Sequence, residues 1–352
     1  MAGTKRALGV LSTIVCASLL VACGGGASGG KADGKLTFVA YGGDGQETMI
    51  DQWQKPFTKE NPDITFTNTS PTDVAQVKAQ VESGAVKWDV IATAPAAAEQ
   101  NCGTLFEPLD ITGIDRKELV DGAVGECYTG NFINATPFAY RTDAFPNPKT
   151  APKTIEDFFD TEKFPGNRGM VTNLQNGVLE YPLLADGVAP KDLYPLDVDR
   201  SLDKLETIRD VTTFAPSVGE LQQAVGAEQV DMFTLSDSRI VPLLEDDVDI
   251  TVVWDVTVTS INAFAVPKGS PELKNAEKFM TWALGSEASA NISEAHGTAP
   301  INKTAKPNLS DAAKQVEVYG PANKGETVLQ DIDWYAENFN EVTTKLTNWL
   351  AG

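Results

Sequence analysis

The chain holds a single histidine, His296, in 352 residues, and only 28 basic side chains against 49 acidic ones. One histidine excludes most His-based catalytic triads and every multi-His metal centre. The shortage of positive charge leaves a formal net charge of −21, a surface that repels nucleic acid and anionic lipid. Gly-x-Ser-x-Gly, His-Glu-x-x-His and a phosphate loop are all missing. The turn Gly42-Gly43-Asp44-Gly45 follows an apolar segment but fits neither dinucleotide nor P-loop spacing. Repeats at solenoid periods are absent too. No metal and no organic cofactor is expected, and the chain reads as not an enzyme. Carboxylates are too numerous to pair by inspection, so a secreted hydrolase stays as the outlying alternative.

Four cysteines divide cleanly. Lys5 and Arg6 precede an apolar run from Ala7 to Ala22 that is too short to span a bilayer and right for an export signal. It ends in Leu20-Val21-Ala22-Cys23, which resembles the bacterial lipobox, so residues 1–22 read as a lipoprotein signal peptide and Cys23 as the lipidated residue. The other reading is an ordinary signal peptide with Cys23 incidental. Residues 23–35, rich in glycine and serine, form a flexible tether. Lipid on Cys23 places the protein outside the cytoplasm, on the outer face of the membrane in the periplasmic space or on the cell-wall side, touching the membrane through that anchor only. Cys16 leaves with the signal. Cys102 and Cys127 remain in an exported chain, where a disulfide between them closes a loop of about 25 residues worth roughly 3 kcal/mol. Two free buried thiols are the alternative.

About 330 mature residues imply two lobes with sizeable cores. Leu36–Ala40 reads as a buried strand, 46–61 as a helix with Met49, Ile50, Trp53 and Phe57 on one stripe, 64–66 and 88–92 as strands, and 74–81 as a helix. That alternation predicts a parallel sheet with helices on its faces. Thr154 and Asp157 have the spacing of a capping box. Further on, 179–185, 198–210 and 271–284 read as helices, and 230–234, 250–254 and 261–266 as strands. Ile332, Tyr335, Phe339, Val342, Leu346 and Trp349 alternate spacings of three and four, building one apolar helix face for the core. Helix-flanked parallel strands place ligands at their carboxyl ends, and two such lobes form a cleft. Hinge closure on a solute would suit an importer's capture protein.

Specific stretches add a family. Tyr41-Gly42-Gly43, Pro56–Glu60, Trp88–Val90, Leu105–Asp110, Tyr140–Phe145, Lys163–Met170, Leu179–Tyr181 with Leu184–Gly187, and Val266–Gly269 occur in an order that resembles the extracellular solute-binding proteins of ABC transporters, in the spermidine and putrescine branch. The resemblance implies an α/β fold of the type II periplasmic-binding-protein kind: two lobes with parallel-rich sheets flanked by helices, and a double crossover hinge near 136–142 and 253–260. Lobe 1 would comprise 36–138 and 256–300, lobe 2 would comprise 139–255, and 301–352 would form a C-terminal helical region. The expected partners are a small amine-bearing solute and ABC permease subunits, with the protein a monomer.

The same resemblance suggests the site. Tyr41, Gly42, Gly43 and Asp44 match the family's aromatic wall and paired glycines, although Tyr41 can also be read as strand-end packing. Ser236-Asp237-Ser238 stands where the family has Trp-Asn-Gly, Asn262 where it has an acid, and 172–176, including Asn176, is neutral where it has acids. Amides in place of carboxylates remove the partners that a buried ammonium requires. The family's default, a polyamine such as putrescine or spermidine, therefore competes with an amino-acid-like zwitterion such as γ-aminobutyrate. Asp237 and Arg239, with Arg141 from the crossing segment, can receive an amine and a carboxylate. Asp237 and Arg239 can equally be a solvated surface pair. His296 reads as a loop residue rather than a ligand contact.

Overall fold

A computed structural model describes residues 33–352, so the signal segment, Cys23 and the tether up to residue 32 lie outside the described residues. The first strand, β1 (Lys35–Val39), buries Leu36, Phe38 and Val39 completely and leads into the glycine turn. Gly43 opens a helical run one turn earlier than the sequence predicts. The run is α1 (Gly43–Met49), a π turn over Ile50–Gln54, and α2 (Lys55–Glu60). Its stripe is buried as expected, and Trp53 is fully enclosed, with its indole N–H donating to the Ala288 carbonyl at 2.9 Å. Phe57 meets Phe279 edge-on at 5.2 Å between ring centroids. Truncating an aromatic of this kind costs about 3–5 kcal/mol.

Next come β2 (Thr65–Thr69), α3 (Val74–Ser83), β3 (Val90–Thr93) and α4 (Pro95–Gln100). Asp73 caps α3 by accepting the Ala75 N–H at 2.8 Å. β1 pairs in parallel with both β2 and β3. Cys102, just past α4, is joined by a disulfide to Cys127, with a Cα–Cα distance of 5.5 Å. The bridge ties the end of α4 to the entry of β4 (Thr129–Arg141).

The second half of the sheet is built the same way. It runs α5 (Ile155–Phe159), β5 (Arg168–Val171), α6 (Glu180–Ala185), α7 (Val198–Glu206), β6 (Thr212–Ala215), α8 (Val218–Gly226), β7 (Met232–Thr234) and α9 (Asp237–Glu245). The capping box at α5 forms between Thr154 and Asp157. β5 pairs in parallel with β6 and β7. The chain then returns through β8 (Ile250–Ala265), followed by α10 (Leu273–Ala283), α11 (Ser286–His296), β9 (Ala299–Pro300), α12 (Asp311–Gln315), β10 (Glu326–Leu329) and α13 (Ile332–Ala351).

The sheet is mixed rather than parallel, with order β2-β1-β3-β8-β4-β7-β5-β6 and β10 and β9 pairing β8 and β4. The correction lies at the centre. β8 runs antiparallel to β3 and β4, and β4 antiparallel to β7. The two strands expected at 250–254 and 261–266 are one continuous strand, because Val256, Thr257, Val258 and Thr259 fill the interval with β-favouring residues. Register between β4 and β8 breaks around Pro137, since Thr136 pairs with Val258 whereas Phe138 pairs with Val253. Proline cannot donate to a ladder and belongs at such an irregularity. The expected C-terminal helical region is also not purely helical, for it contributes β10 in parallel with β8. Its last helix, α13, packs on α4 of one half and α7 of the other, with Tyr335, Val342 and Leu346 buried from the predicted stripe.

Candidate ligand site

The turn after β1 and the start of α9 come together. Gly42 adopts φ +79°, where a side chain is strained, and a Cβ there would come within 3.0 Å of Ser70 Oγ. Gln46, which sequence reasoning missed, pins this turn. Its Oε1 accepts the Gly42 N–H at 3.0 Å and its amide donates to the Thr69 carbonyl at 3.0 Å. One residue past exposed Asp44, Gly45 lies against the guanidinium of Arg239, whose Nη2 sits 3.9 Å from where a Gly45 Cβ would be.

The Arg239 side chain makes no hydrogen bond or ion pair among the described residues, although its backbone N–H donates to the Ser236 carbonyl at 2.9 Å. Burial pulls it below its ordinary value, while the charge of Asp44 acts the other way. A guanidinium remains charged under such a pull. A largely desolvated cation without a contact partner is costly unless an anion joins it.

Asp237 does not act with it. Its side chain is 1% exposed, Oδ2 accepts the Ala135 N–H of β4 at 3.0 Å and Oδ1 accepts the Ser238 N–H at 2.7 Å. Burial pushes its carboxyl up to about 8, against the pull of those two donors. The expectation that Asp237 receives an amine, or forms a solvated surface pair with Arg239, is corrected on both counts: it is an internal clamp on the crossing strand. Arg141 is corrected as well. It sits at the far end of β4 in a two-pronged contact with Asp143 (3.1 and 2.7 Å) and 3.6 Å from Glu228. Asn176 is buried with its amide donating to Thr136 Oγ1 at 3.2 Å. Ser236 caps α9 by position only, 3.5 Å from Ser238 Oγ.

The other wall is made of amides. Asn262 on β8 donates to the hydroxyl of half-exposed Tyr41 at 3.3 Å and accepts from Asn131 on β4 at 3.1 Å. Asn131 is completely buried and its Oδ1 has no partner. Asn262 pairs in register with Phe132, and the Phe132 ring meets the imidazole of His296 edge-on at 5.4 Å. His296 is the last residue of α11, not a loop residue, followed by Gly297 in the left-handed conformation that ends the helix. Asn131, Phe132 and His296 were missed as site residues, because they lie on elements whose placement needs the tertiary fold.

Beyond Asn262 a small cavity of about 30 Å³ opens between the ends of β3 and β5, lined by Pro95, Gln175, Ser260, Gln330 and Tyr335. A larger groove of about 630 Å³ lies elsewhere, between α2 and α10 near Glu60, Lys274 and Trp282, and touches none of the predicted residues. Among the described residues, no cluster of three or more histidine, cysteine or acidic side chains can hold a metal, and no helix is long and apolar enough to cross a membrane.

The arrangement is that of a binding site, with an orphan cation, buried amides and an aromatic wall at strand ends. Residues 52–318 match the family described as bacterial extracellular solute-binding protein, and the chain belongs to that family. It is a binding protein that works outside the cytoplasm, and its relatives are not enzymes. It is similar to the gamma-aminobutyric acid-binding protein of Pseudomonas aeruginosa, 27% identical over 323 residues, covering 90% of this chain and 91% of the other. Among solved structures it resembles the Atu4243–GABA receptor, at TM-score 0.81 and 30% identity over 90% of this chain and 97% of that one. It also resembles AgtB from A. tumefaciens R10 in complex with agropinic acid, at TM-score 0.78 and 27% identity over 90% and 99%.

Proposed function

We propose that the protein captures an amino-acid-like zwitterion, such as γ-aminobutyrate, and delivers it to an ABC permease. The observation that carries this reading is the Arg239 guanidinium, desolvated and without a contact partner among the described residues. A ligand carboxylate would meet it with charge-assisted hydrogen bonds worth about 1.5–3 kcal/mol each. The polyamine alternative lacks matching acids: Asp237 is already bonded to two backbone N–H groups, and positions 176 and 262 are amides. The names of the relatives support the zwitterion, since two refer to γ-aminobutyrate and one to agropinic acid.

Tyr41 then walls the ligand's methylene chain, with the Asn262 amide bonded to its hydroxyl. Lobe 1 (36–138 and 256–300) and lobe 2 (139–255) close on it about the β4–β8 register break. Lipid on Cys23 holds the protein beside the permease. A thermal-shift panel tests the ligand class, because binding to the folded state raises stability by mass action. γ-Aminobutyrate raises the melting temperature of the wild type, and Arg239→Ala loses roughly 10–100-fold in affinity. Stabilisation by putrescine with none by γ-aminobutyrate would sink the zwitterion reading.

A further inference from the structure

Two unused polar atoms sit beside Arg239. Both ring nitrogens of His296 are sealed from solvent and neither makes a hydrogen bond of full geometry, the Gly45 backbone being the one polar group that approaches the ring. An imidazole carries one N–H donor and one acceptor in its neutral form, and burying both unpaired costs free energy. The ring is fixed in place by Phe132 of β4 on one side and by the last turn of α11 on its own element. The Gly45 backbone faces it from α1, and the guanidinium of Arg239 acts on it from α9. A Cβ on Gly45 would lie 3.9 Å from Arg239 Nη2, so the imidazole and the guanidinium both face a glycine that has no side chain. The charged groups around it are Arg239 and, next to Arg239, Asp44.

Burial, opposed by the Gly45 backbone and reinforced by the Arg239 charge, holds the imidazole down at about 4, so the ring is neutral at physiological pH. A neutral ring beside a cation is a donor without repulsion between the two. Resting on the reading that a carboxylate enters this site, we propose that His296 is a specificity-determining residue, donating a ring N–H to the same ligand carboxylate that Arg239 holds. The pair then selects a planar anion over an alcohol or an amine, because only an acceptor with two oxygens satisfies both donors.

The test uses the absence of any other histidine. In untagged wild-type protein the imidazole gives a single proton NMR signal, followed through a pH titration with and without γ-aminobutyrate, butyrate or putrescine. A carboxylate brought within reach raises the imidazole's midpoint by roughly one pH unit or more, and putrescine leaves it unmoved. His296→Gln, which keeps an N–H donor, binds γ-aminobutyrate within about 3-fold of wild type, whereas His296→Phe weakens it roughly 10-fold or more. If γ-aminobutyrate stabilises the protein but leaves the imidazole signal in place, the inference fails and the ligand class stands. If only putrescine binds, both fail together. Should His296→Phe not fold, the wild-type titration alone decides, and no shift with any carboxylate overturns the proposal.

Discussion

Glu180 offers the sharpest test of the physical account of the fold. Its side chain is 0% exposed, yet a single oxygen, Oε1, takes three donors: the hydroxyls of Tyr194 and Tyr335 and the amide of Gln330, each at 2.7 Å. The second oxygen, Oε2, has none. Burial raises the carboxyl above its ordinary value, and the three donors only partly oppose this. Glu180→Gln can keep the carbonyl at Oε1 and place its amide where Oε2 had no partner, so it imitates the protonated acid. Near pH 5 the exchange should cost about 1 kcal/mol or less, whereas Glu180→Ala orphans three buried donors at about 1–3 kcal/mol each. The sign of the pH effect follows from linkage. With the folded value raised, the folded state holds a proton that the unfolded chain has lost, so wild-type stability falls as pH rises from the ordinary glutamate range through the folded value. Glutamine does not titrate and loses nothing. Urea unfolding at pH 5 and pH 8 should therefore show Glu180→Gln gaining on the wild type at the higher pH. A gap that stays constant between the two pH values would refute a protonated, burial-dominated Glu180.

Two further outcomes follow from single contacts. Replacing Cys102 and Cys127 by alanine removes the bridge between α4 and β4 and should lower stability by roughly 2–5 kcal/mol, read as an earlier melting transition that reductant no longer moves. Asp237→Ala leaves the Ala135 and Ser238 N–H groups without their carboxylate acceptors. It should cost about 1–3 kcal/mol in urea unfolding, and full retention of wild-type stability would show that the clamp on β4 carries no weight.

The peripheral elements were legible in the sequence because each one carries its own signal. The stripe of Met49, Trp53 and Phe57, the Thr154–Asp157 box and the three-four spacing of α13 all depend on residues within a few turns of one another. The centre of the sheet was not. β4 contains Gly130, Asn131, Asn134 and Pro137, residues that argue against a strand when read locally. They are tolerated because β8, β7 and β9 pair along its length and the irregularities fall at register shifts. The antiparallel pairings there depend on a return of the chain more than ninety positions later, which periodicity does not encode. The site divides along the same line. Tyr41, Gly42, Gly43 and Arg239 follow strand ends and could be nominated from turns. Gln46, Asn131 and His296 matter through what they face across the fold. Asp237 and Asn176 have suitable chemistry for a site, but their hydrogen bonds point inward, and only coordinates separate a carboxylate that waits for a ligand from one already satisfied.

Net charge says little about one pocket for a related reason. A chain at −21 is compatible with a cationic ligand, yet surface carboxylates act through water and salt. Their influence decays over a Debye length of about 8 Å at physiological ionic strength. In the proposed binding mode Arg239 would act on a ligand at contact distance inside a partly desolvated space. There, one pair of unit charges at 4 Å interacts with about 4 kcal/mol at an effective dielectric of 20, against about 1 kcal/mol in bulk water. The nearer charge therefore decides which end of a ligand goes in first. A zwitterion fits both levels at once: it carries no net charge for the acidic exterior to repel, and its carboxylate can lead into the guanidinium while its ammonium trails toward the negative surface.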